Sequence, residues 1–284
     1  MSHSYNPSDA YRAIPALTII RDGKRNIMTQ GSGLLVDPPA PAILPPLRPV
    51  SYQEGGIEFE GYLATPTGSG PHSCVILGHD WSGPNISTQT IARRLAYLGY
   101  AAFLLDAYGK GVRGDETGDN SHLMNPVMAD RAMLTRRIRA GYESARNLPE
   151  VDENRMSALG FCFGGFCVLD LARTDPDGLK VTISVHGGLT PPHDNPPAPI
   201  RSRIVILHGW EDPVASPQDV TALARELTLA GADWELNAYG HAMHAFTFPA
   251  ANMPERGIDY HPAAALRAEA AILRELAAAQ KSKP

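Results

Sequence analysis

The chain has 284 residues, 43% of them hydrophobic, which is enough to bury one large core in one or two domains. Its 25 basic and 30 acidic residues leave a net charge of −5, so there is no basic footprint for nucleic acid or an anionic membrane surface. The most apolar N-terminal piece, "AIPALTII" (13–20), is too short for a membrane span and lacks the layout of a secretory signal.

Residues 1–36 carry weak periodicity. In "DPPAPAILPPLRP" (37–49), proline fixes φ and removes backbone donors, so helix and central strand are excluded. An extended tether lying over a surface is expected there. This makes residues 1–49 an N-terminal extension ahead of a folded unit spanning 50–284. "IEFEGYLATP" (57–66) alternates as a half-exposed strand does, and "SCVILGHD" (73–80) is a short apolar run of the kind buried on both faces. "TQTIARRLAYLGY" (88–100) has helical spacing and stops at Gly99. A strand over 101–108 leads into a Gly- and Asp-rich loop (109–124). Asn125 as N-cap, with Pro126 in the first helical position, then predicts one long helix.

The alternation continues with a strand at 155–161, a helix at 163–175, and strands at 180–187 and 203–210 flanking the loop "LTPPHDNPPAPI". A helix (217–230), a strand (233–240) and an alanine-rich helix (263–279) complete it. Such alternation predicts an α/β fold with a mostly parallel sheet and helices on both faces. Chemistry in such sheets sits at the carboxyl ends of the strands.

Four motifs fall at those ends: "GHDW" (78–81), "GFCFGG" (160–165), "HGWED" (208–212) and "YGHAMH" (239–244). Alone, Cys162 reads as a small buried residue, half of a redox pair with Cys167, or a nucleophile on a sharp turn. Its flanking Gly160 and Gly164 fit a strand-to-helix elbow too tight for side chains, and the order Cys162, Asp212, His244 is nucleophile, acid, base. At the start of a helix, and near an imidazole, the sulfur is favoured as thiolate. The N–H of Phe163, and that of Trp81 in the loop after "VILGH", are expected to face the developing oxyanion. The cysteines Cys74, Cys162 and Cys167 form no CxxC and no metal spacing, which points to a reducing, cytoplasmic setting. Cys74 and Cys167 lie in apolar runs and are expected to be inert packing. Glu211 competes with Asp212 as the acid, and His241 with His244 as the base. The HxxH formed by the two histidines has no carboxylate or cysteine cluster beside it, so no metal and no cofactor is expected.

"GFCFGG" (160–165), "HGWEDP" (208–213) and "HAFTFPAAN" (244–252), supported by "LGHDW" (77–81) and "LLDAYG" (104–109), resemble the dienelactone hydrolase family over roughly residues 50–280. The resemblance implies an α/β-hydrolase fold and a Cys-Asp-His triad acting on lactones and other carboxylic esters, with a small-molecule substrate and no nucleic-acid or membrane partner. Its motifs place Cys162 as nucleophile, His244 as base and Asp212 as the acid. They also put Asp80 where the family's acidic residue holds the resting thiol. The chain departs from the dienelactone-specific members at Phe248, where they carry an arginine that binds the substrate carboxylate. A thioesterase or broad small-ester esterase shares the same oxyanion chemistry, and a non-catalytic binding protein on a hydrolase scaffold is the rival of a different class. His79, His186 and His208 end strands at the same edge and are expected to serve as structural hydrogen-bonding groups. Arg113, in the loop after the 101–108 strand, is a candidate receptor for an anionic substrate or a solvated charge.

Overall fold

The computed structural model describes residues 18–21, 24–27, 43–115, 118–192 and 197–281. The expected tether over 37–42 and the central part (193–196) of the proline-rich loop lie outside these residues. Strands β1 (Thr18–Arg21) and β2 (Lys24–Ile27) pair antiparallel as a ladder of their own.

Eight strands form the central sheet: β3 (Leu47–Glu54), β4 (Ile57–Ala64), β5 (His72–Gly78), β6 (Ala101–Leu104), β7 (Val151–Phe161), β8 (Leu179–Val185), β9 (Arg203–Gly209) and β10 (Trp234–Tyr239). Their spatial order is β10-β9-β8-β7-β5-β6-β4-β3. All neighbours from β6 to β10 are parallel, whereas β3 and β4 join antiparallel. The α-helices are α1 (Ile86–Tyr97), α2 (Ser121–Ala129), α3 (Arg131–Arg146), α4 (Phe163–Arg173), α5 (Pro217–Leu229) and α6 (Pro262–Lys281).

Period-two alternation sorts the strand side chains into two cores. Ile76, Phe103, Ala158 and Ile206 pack with Leu134, Phe166 and Leu223 of α3, α4 and α5 on one face. Val75, Leu104, Leu159 and Val205 pack with Leu95 and Ile272 of α1 and α6 on the other. The central strands are thus buried on both sides, which is why they read as unbroken apolar runs. Among the described residues, no helix is long and apolar enough to cross a membrane.

Local departures from the sequence reading have identifiable causes. Strand β3 begins at Leu47, inside the proline-rich stretch, because it lies at the sheet edge, where Pro49 opposite Tyr62 needs no donor on its outer side. Just before it, the carbonyls of Leu44 and Pro45 accept from Arg93 on α1, at 3.0 and 2.8 Å. The single long helix expected from Asn125 is two helices. Asn125 and Pro126 lie inside α2, which starts at Ser121, and the chain breaks at Asp130. Asp130 caps α3 by accepting from the Met133 N–H at 2.9 Å, so a better N-cap five residues on takes the role expected of Asn125.

Candidate active site

Strand β7 runs straight into α4 through one residue, Cys162, whose φ of 54° and ψ of −121° lie outside the usual range of an L-residue. Space explains the flanking glycines. A Cβ on Gly160 would fall on the Gly164 carbonyl, and one on Gly164 would fall on the Gly78 carbonyl at the end of β5. Strand and helix backbones therefore touch, and the Cys162 side chain is left partly exposed above the sheet. Phe163 opens α4, so its N–H has no acceptor within the helix.

The sulfur meets an imidazole carried by a distant loop. His244 Nε2 is 3.1 Å from Cys162 Sγ, and His244 Nδ1 is 2.8 Å from Asp212 Oδ2. Asp212 is buried after β9, and its other oxygen accepts from the Val214 N–H at 2.8 Å. Nδ1–H must donate to the carboxylate, which aims Nε2 at the sulfur. Burial opposes a charge on His244, yet the sulfur and the carboxylate outweigh it and push the imidazole up to about 10. A small antiparallel pair, β11 (Asn252–Met253) and β12 (Ile258–Asp259), anchors this imidazole. The His244 N–H donates to the Gly257 carbonyl at 2.9 Å, and its carbonyl accepts from Asp259 at 3.2 Å. Nothing in the sequence pattern marked that hairpin, because each strand has only two residues.

The competing candidates separate cleanly. Glu211 meets His241, which is 90% exposed, at 3.1 Å on the surface, whereas Asp212 meets His244 inside. Asp80 does not hold the thiol as expected. Both of its oxygens are used in a turn, accepting from the Ser82 N–H (2.8 Å), the Ser82 hydroxyl (2.6 Å) and the Asn85 amide (3.0 Å). One methylene shorter than glutamate, it satisfies its own turn. Trp81 sits in that turn, with its carbonyl accepting from the Tyr108 hydroxyl at 2.9 Å. Tyr108, absent from the sequence-based site, stacks on Phe163 at 5.7 Å; its only sequence signal was its place at the end of a predicted strand.

Two of the three strand-end histidines have the expected hydrogen bonds. His79 Nε2 accepts from the Ala107 N–H at 3.1 Å, and His186 bonds to Cys162 and Thr247. His208 departs from the expectation. It is buried, neither ring nitrogen has a hydrogen-bond partner among the described residues, and burial above all lowers its tendency to charge. Cys74 and Cys167 are buried, as read; burial pushes Cys74 up to about 12 and Cys167 well above its ordinary value.

The comparisons with known proteins agree with this architecture. A solved structure named m3DLH is 34% identical with a TM-score of 0.74, over 81% of this chain and 97% of its own. A dienelactone hydrolase-like promiscuous phosphotriesterase from metagenomic libraries is 31% identical with a TM-score of 0.76, over 83% and 99%. A protein of Aquifex aeolicus provisionally named carboxymethylenebutenolidase is 26% identical over 201 residues, which is 69% of this chain and 85% of that one. The model of the dienelactone hydrolase family matches residues 59–279. The chain belongs to the dienelactone hydrolase family and is a carboxylic ester or lactone hydrolase of α/β-hydrolase fold.

Proposed function

We propose that the protein hydrolyses small, uncharged carboxylic esters or lactones through a thioester on Cys162. The observation that carries this is the continuous line from Cys162 Sγ to His244 at 3.1 Å and on to Asp212 at 2.8 Å. The sulfur, as thiolate beside the His244 cation, attacks the carbonyl carbon, and the carbonyl electron pair moves to oxygen. The N–H groups of Phe163 and Trp81 bind that oxyanion. As it collapses, the C–O bond to the alcohol breaks and His244 gives its proton to the departing alkoxide. Neutral His244 then takes a proton from water, the hydroxide attacks the thioester, and the C–S bond breaks to release acid and restore thiolate. Asp212 holds the imidazole tautomer throughout.

The preference for uncharged substrate rests on two side chains. Phe248, at the position of the carboxylate-binding arginine of dienelactone-specific members, packs 5.4 Å from His186 and 5.8 Å from Phe161. Arg113 is tied to Asp106 at 3.4 Å and to the carbonyls of Val112, Gly109 and Glu60, rather than held ready for an anion.

Intact-mass measurement after brief exposure to a mixed library of lactones, aryl esters and acyl thioesters tests the mechanism and ranks the substrate classes. The expected result is one acyl adduct, on the peptide containing Cys162, and none in Cys162→Ala. Cys162→Ser should remain folded and lose activity on the order of 10³-fold, because an alcohol ionises far less readily than a thiol. An adduct elsewhere, or full activity in Cys162→Ser, contradicts the thioester.

A further inference from the structure

We propose that His186 is a positioning residue of this centre: its imidazole ties the backbone of Cys162 to the loop bearing His244, and so fixes the distance between sulfur and base. The inference rests on the roles of Cys162 and His244 proposed above.

The connection is continuous. His186 follows β8 directly, with a φ of 37° that a side chain of its size rarely adopts. The Cys162 N–H is shared between the Val185 carbonyl at 3.0 Å and His186 Nδ1 at 3.1 Å. With Nδ1 accepting, the proton lies on Nε2, which donates to the Thr247 hydroxyl at 2.8 Å. Thr247 is three residues beyond His244 on the same loop. The ring also stands edge-on to His244, with centroids 5.3 Å apart, and is packed by Phe246 at 5.3 Å and Phe248 at 5.4 Å. One side chain therefore spans the strained elbow and the loop of the base.

This role requires an uncharged ring, because a protonated Nδ1 cannot accept from Cys162. Burial, and then the cation of His244, hold His186 well below the usual histidine range. The other titratable groups around the Cys162–His244 pair are Asp212 after β9, His208 on β9, Tyr108 after β6 and Cys167 on α4. A mere packing ring would need neither hydrogen bond, and that difference can be measured.

Three variants separate the possibilities. His186→Phe keeps an aromatic ring but neither accepts nor donates, Thr247→Val removes only the outer partner, and His186→Asn restores an acceptor near Cys162. Each is assayed with p-nitrophenyl butyrate, by thermal melting, and by the pH dependence of Cys162 alkylation with iodoacetamide. For His186→Phe, kcat should fall about 10- to 100-fold with KM changed by less than about twofold. The alkylation midpoint should rise by about one pH unit as the sulfur–imidazole pair loosens. Thr247→Val should move both in the same direction by less, and His186→Asn should recover part of kcat. An unchanged kcat and midpoint in folded His186→Phe overturns the proposal, as does a lower melting temperature with an unmoved midpoint. If His186→Phe does not fold, Thr247→Val decides by the same criteria. Failure of the underlying cysteine mechanism looks different: alkylating Cys162 in the unaltered protein then leaves ester turnover intact.

Discussion

In the proposed mechanism Cys162 acts as thiolate, and three features converge on its sulfur. It caps the N-terminus of α4, it is partly exposed, and it lies 3.1 Å from an imidazole that burial fails to neutralise. Cys74 and Cys167 share none of these features. A brief pulse of iodoacetamide on the folded protein should therefore label Cys162 well ahead of the other two, read by peptide mass; equal labelling of all three contradicts the assignment. Because Asp80 is engaged by Ser82 and Asn85, labelling should need no substrate to release the sulfur. His244 carries a pH signature of its own. Its value is raised in the fold, so its ion pairing stabilises fully below the unfolded value of about 6.5 and drains away as pH rises to about 10. The difference in melting temperature between the unaltered protein and His244→Gln should shrink across that interval. A difference that stays constant with pH removes the charged His244 from the account.

The elbow shows what a sequence of glycines accomplishes at the scale of elements. Gly78, Gly160 and Gly164 let β5, β7 and α4 approach at backbone distance, and only that approach lifts Cys162 clear of the sheet. Gly160→Ala should cost about 1–3 kcal/mol or more in denaturant unfolding, because its methyl group meets a carbonyl that the α4 backbone cannot easily move. An unchanged midpoint would show that the elbow has slack. The hairpin β11–β12 works in the opposite manner. It has almost no core of its own, yet it fixes the backbone of His244 through Gly257 and Asp259. A two-residue strand leaves no periodicity to detect, and the split between α2 and α3 was hidden because Asn125 and Asp130 are both acceptable cap residues.

Across the whole molecule, Asp170 joins pieces of chain that the sequence keeps apart. Buried on α4, it receives Arg131 of α3 at 2.8 Å and Arg173 at 2.9 Å, while Arg173 reaches Glu226 of α5 at 2.7 Å. Arg131 also stacks 3.8 Å over Phe166 and donates to the carbonyl of Thr190. Asp170→Ala leaves two mostly buried guanidinium groups short of a partner and should cost about 3 kcal/mol, read by chemical denaturation. A loss below about 1 kcal/mol would place the network among surface pairs of little weight.

The sequence by itself determined the alternating parallel architecture, since central strands buried on two faces must be apolar throughout. It also determined the elbow, because only glycine fits beside so tight a turn. That Cys162, Asp212 and His244 would come together was legible from the strand ends their motifs occupy, which share one edge of a parallel sheet, and from the resemblance to the dienelactone hydrolases. Tertiary structure decided how the remaining neighbours are engaged. Glu211 turns outward to His241 while Asp212 turns inward, Asp80 closes on its own turn, and His186 reaches across to Thr247. The physical reason is that an apolar run and a required glycine are local constraints, readable one residue at a time. A hydrogen bond between residues 82 positions apart, like that of Cys162 and His244, depends on where every intervening element comes to rest.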